Sequence, residues 1–97
     1  MSRSLLERRL AEVGARLKQL REELVITDEQ LGALADVADD ARLRALVSET
    51  PLADQEHQEA QKHADAMQRH RAEVLTSIDQ LERRQDDLLD RLLAESR

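Results

Sequence analysis

Ser48-Glu49-Thr50-Pro51 decides how this chain folds. Pro51 lacks the amide hydrogen a helix interior needs, and its ring pushes Thr50 out of the right-handed helical region. A helix arriving from the N-terminal side must therefore stop before it. Thr50 suits the N-cap of a new helix, with Pro51 at the first helical position, where the missing hydrogen costs nothing. The tetrapeptide sits near the midpoint of 97 residues, so two long stretches of similar length run away from it.

Read backwards from the turn, apolar residues recur at alternating spacings of four and three. They are Leu6, Leu10, Val13, Leu17, Leu20, Leu24, Leu31, Leu34, Ala38 and Ala41, with Thr27 holding one place in the series. A repeat of 3.5 residues sustained this long is the mark of a coiled coil. Ser2 or Ser4 can cap this first helix, and Ser4 with Glu7 fits the S-x-x-E capping box. Gly14 and Gly32 interrupt the series without ending it, at about 1 kcal/mol each relative to Ala. The one stretch where the helix is expected to be at risk is Asp36 to Asp40. Acids there suit the start of a new helix better than the end of an old one.

The second series reads Ala53, His57, Ala60, Ala64, Met67, Arg71, Val74, Ile78, Leu81, Gln85, Leu88 and Leu92, again in four-three alternation. Leu75, Leu89 and Leu93 broaden the stripe, as a bundle helix requires. If the chain reverses near residue 50, facing residues have numbers adding to about 100. Leucines then meet leucines far from the turn, and alanines meet alanines close to it. The expected fold is all-α: one domain over 1–97, a long antiparallel two-helix hairpin of the coiled-coil type. Helix one covers about 4–48, the turn 48–51 and helix two about 51–94, with a break near 36–40 as the main departure from this plan. At about 1.5 Å per residue each arm spans roughly 65 Å.

Composition agrees. Charged residues make up 37% of the chain and apolar ones 40%, while Phe, Tyr and Trp are absent. That is the balance of long helices, without the bulky side chains that usually fill a globular core. Ordering such a chain costs about 1.5 kcal/mol per residue, against a seam only one or two side chains wide. Self-association into a four-helix bundle, or docking on a partner, is therefore expected to add burial.

The net charge of −6 opposes binding to a nucleic-acid backbone or an anionic membrane. Without cysteine there is no disulfide framework and no thiolate zinc site. The opening residues lack the apolar run of a secretory signal, and no stretch approaches the roughly 20 residues that span a bilayer. A cytoplasmic location is expected. Catalysis is not: a two-helix rod has no cleft to shift a carboxylate or histidine pKa, and phosphate-cradling glycine patterns are missing. His57, His63 and His70 all lie on the second helix, and Glu59 and His63, four apart, could face one metal. No metal or other cofactor is expected.

Three groups of residues stand out. Leu6, Leu10, Leu17, Leu24, Leu31, Leu75, Leu88 and Leu92 are the expected contacts to a protein partner. Thr27, His57, Arg71 and Gln85 are polar where the heptads otherwise place apolar groups, and can fix register. Arg71 falls near Thr27, Asp28 and Gln30 in the hairpin pairing. Glu49 and Asp54 form an acidic tip, with Leu52 exposed beside it, suited to probing a basic cleft. The leading expectation is a non-enzymatic adaptor or regulator acting through helix packing. A homodimeric bundle and a small-ligand sensor built around Arg71 are the alternatives.

Overall fold

A computed structural model describes residues 2–96. The chain is two long helices, α1 (Arg3–Ser48) and α2 (Pro51–Glu95), packed against each other as an antiparallel hairpin. Among the described residues there is no strand. α1 runs through Asp36 to Asp40 without a break.

Local chemistry sets the ends. Ser2 caps α1: its Oγ accepts the Leu5 amide hydrogen at 3.2 Å, and its carbonyl accepts that of Leu6. The capping box expected from Ser4 and Glu7 does not form. Ser4 already lies within the helix, and Glu7 is held instead by Arg3 one turn earlier, at 3.1 Å. At the other end the Glu49 amide donates to the Ala45 carbonyl at 3.1 Å, and Glu49 has φ of 51°. This is the left-handed residue that commonly closes a helix C-terminus, here not a glycine. Thr50 then caps α2, its Oγ1 accepting the Ala53 amide hydrogen at 3.2 Å. Pro51 is the first residue of that helix.

The chain divides into two compact units, to each of which both helices contribute. In the unit made by the described parts of 1–24 and 74–97, the core is leucine-rich. Leu17, Leu20, Val74 and Ile78 form a buried cluster, with Val13, Leu24 and Leu81 packed on it. Leu6 and Leu88 are also fully buried. Full burial of such a side chain stabilises by roughly 1.5–3 kcal/mol. Arg3 Nη1 donates to Ser96 Oγ at 2.9 Å, joining the start of α1 to the end of α2.

The unit of residues 25–73 has a core of small side chains. Ala38, Ala41, Ala45, Ala53 and Ala64 are buried there, together with Thr27. An alanine loses its exposure only when a neighbouring helix comes close, so this seam is narrow. Throughout both helices, every residue of the four-three series read from the sequence is buried or half-buried. Contacts between the helices join residues whose numbers add to about 100, as the reversal at the turn requires.

Candidate functional site

The leucines expected to meet a partner are placed by this packing. Leu6, Leu17 and Leu88 are at most 1% exposed. Leu10, Leu24, Leu31 and Leu92 are half-buried along the same seam. Of the eight, Leu75 is the most exposed, at 38%. The heptad pattern identifies which residues leave water, but the same pattern serves an internal arm and an external partner equally. In this chain the internal arm takes the seam.

What remains outside the seam is apolar in several places. On α2, Leu89 is 42% and Leu93 62% exposed. Leu75 and Leu89 share one edge of the seam, since fourteen residues complete four turns of a 3.5-residue repeat. Leu93 follows Leu89 by one turn. Between the two ends of this edge lies Glu82, paired with Arg21 at 3.7 Å with both side chains more than half exposed. A pair so open to water contributes little and presents no barrier to a partner helix.

The polar residues of the seam behave differently from one another. Thr27 is 2% exposed, and among the described residues no buried side-chain nitrogen or oxygen lacks a hydrogen-bond partner. Arg71 reaches across to α1, where its Nε donates to Asp28 Oδ1. His57 and Gln85 are half-buried in the seam. The Arg71 layer thus brings together two of the residues the hairpin pairing places side by side, and gives the guanidinium an intramolecular carboxylate. Among the described residues there is no cavity and no group of three His, Cys, Asp or Glu side chains able to hold a metal ion.

At the turn, Glu49 and Asp54 are exposed, as is Leu52. Close to the turn Leu43, Leu46 and Val47 are exposed as well, a patch that lies outside the four-three series. Asp36, Asp39 and Asp40 repeat their spacing two turns earlier.

No helix among the described residues is long and apolar enough to cross a membrane. Comparison with known proteins finds no matching family model, no matching curated protein and no matching solved structure.

Proposed function

We propose that this chain is a non-enzymatic protein-binding module that acts by helix packing on apolar positions outside its closed seam. The observation that carries the reading is the edge formed by Leu75, Leu89 and Leu93, which keeps large apolar side chains in water after the seam leucines are buried. Apolar groups at helical spacing beside an existing seam are the contacts a further helix uses. The partner contacts therefore shift from the seam itself to its edge. Leu6, Leu17 and Leu88 act indirectly, by holding the edge in place.

The test is a crosslinking pull-down from the cells of origin with wild type and a Leu75→Asp, Leu89→Asp double variant. Circular dichroism would check that the variant keeps its helicity. Leu24 is a poor choice for such a variant, because it packs on the core cluster and a charge there would unfold the unit. A dominant partner captured by wild type and lost by the folded variant supports the reading. A partner retained equally by both refutes it.

A homodimeric four-helix bundle is the second reading, favoured by the same edge, since a second copy would widen the stripe on both hairpins at once. Thermal melts separate the two. A melting temperature that rises with protein concentration, and no capture of another protein, would transfer the assignment to the bundle.

A further inference from the structure

The last two turns of α1 carry a second apolar surface, on the side facing away from the seam. Leu43, Leu46 and Val47 stand at i, i+3 and i+4, which places them on one face of the helix. They are 61%, 64% and 85% exposed, and Leu52 just past the turn is 65% exposed. The seam residues of the same stretch, Ala38, Ala41 and Ala45, are buried on the opposite side. Two turns earlier on the outward face stand Asp36, Asp39 and Asp40, all exposed. None of the ion pairs among the described residues involves these three acids. The outward face of α1 thus reads as three carboxylates followed, at the same helical positions, by three apolar side chains.

We infer that this face docks an amphipathic helix of another protein that carries an apolar triplet and, two turns away on the same face, a triplet of Lys or Arg. Charge decides the occupant. Residues 36–59 hold seven acids against two arginines, so most of the chain's net charge of −6 lies around the turn. A second copy is opposed in both orientations. Laid parallel, its Asp36, Asp39 and Asp40 would face the same three acids. Laid antiparallel with the apolar triplets together, Asp39 and Asp40 would lie nearest Glu49 at the tip of the other turn. Like charges so placed repel, whereas a basic triplet would be attracted and steered to the face. An anionic bilayer or a nucleic acid is repelled for the same reason. The inference uses residues other than the Leu75–Leu89 edge and stands or falls apart from it.

The probe is a synthetic amphipathic helix with leucines at i, i+3 and i+4 and lysines at the same spacing two turns on, beside a control with glutamates for the lysines. Binding to the full chain is followed by fluorescence anisotropy, and the site by amide shifts in nuclear magnetic resonance. The lysine helix is expected to bind and to move amides within 36–54, while the glutamate helix does not bind. Leu46→Ser with Val47→Ser is expected to weaken binding at least about ten-fold, as is Asp36→Asn with Asp39→Asn and Asp40→Asn. These side chains are exposed, so the variants keep the fold, and Leu75→Asp with Leu89→Asp leaves binding unchanged. The inference is overturned if the lysine helix fails to bind, if shifts spread along the chain, or if the turn-end variants bind as wild type does. It is also overturned if the turn-end amides respond to phosphatidylcholine vesicles in place of the peptide, or to protein concentration alone.

Discussion

Arg71 on α2 donates through Nε to Asp28 Oδ1 on α1, from a position the heptads otherwise give to apolar side chains. The guanidinium is one-third exposed and the carboxylate about half, so water screens the pair. Its energy is modest, and its value lies in register: a shift of one turn would leave Arg71 in the seam without its carboxylate. A double-mutant cycle over Asp28→Asn and Arg71→Gln is expected to give a coupling of about 0.2–1 kcal/mol at low salt. Raising the salt concentration should reduce it. A coupling of zero, or one indifferent to salt, would remove the pair from the register argument.

Gly14→Ala and Gly32→Ala should each stabilise the hairpin. A Cβ built at either position meets nothing within 4 Å, and neither glycine has a positive φ. The gain is helix propensity alone, about 1 kcal/mol per site. The sites are far apart, so the gains should add. Melting temperatures should rise by about 4–8 °C per kcal/mol. A fall at either site would mean that a partner or second copy occupies that open space.

The turn offers a pair of opposite effects. Glu49 holds a left-handed conformation with φ of 51°, which costs an L-residue roughly 1–2 kcal/mol. Glu49→Gly is expected to recover part of that, giving about 0.5–1 kcal/mol of added stability. Thr50→Ala removes the hydroxyl that accepts the Ala53 amide hydrogen and should cost about 1 kcal/mol. Denaturant unfolding of the two variants reads both signs in one experiment.

Leu17 and Leu75 separate folding from surface. Leu17 is 1% exposed within the core cluster, and Leu17→Ala should cost roughly 2–5 kcal/mol, enough to unfold much of a marginal hairpin. Leu75 lies at the edge, and Leu75→Ala should change stability by less than about 1 kcal/mol. Circular dichroism melts check both. Equal losses would place Leu75 in the core.

The seam was readable residue by residue because a 3.5-residue repeat has one physical use, which is burial along a line. The turn was readable because Thr50 and Pro51 act through their own backbone chemistry and need no tertiary information. Glu49 was not foreseen as the left-handed residue, since a glutamate carries no signal for that conformation. The α1 cap fell on Ser2 in place of Ser4 because both serines suit the role, and Arg3 engages Glu7 once the helix starts earlier. Which leucines the chain's own second arm covers was the least legible. Leu6, Leu17 and Leu88 have the same pattern whether they bury against the chain's own second arm or against another protein, and only the packed structure distinguishes the two.

The most direct measurement places a photo-crosslinking amino acid at Leu89 and, as a control, at exposed Lys62, in the cells of origin. The expected result is a covalent adduct with one other protein from position 89, lost when Leu75→Asp is added and absent from position 62. Adducts formed only with a second copy of the chain, or formed equally from both positions, would contradict a partner-binding edge beside a closed seam.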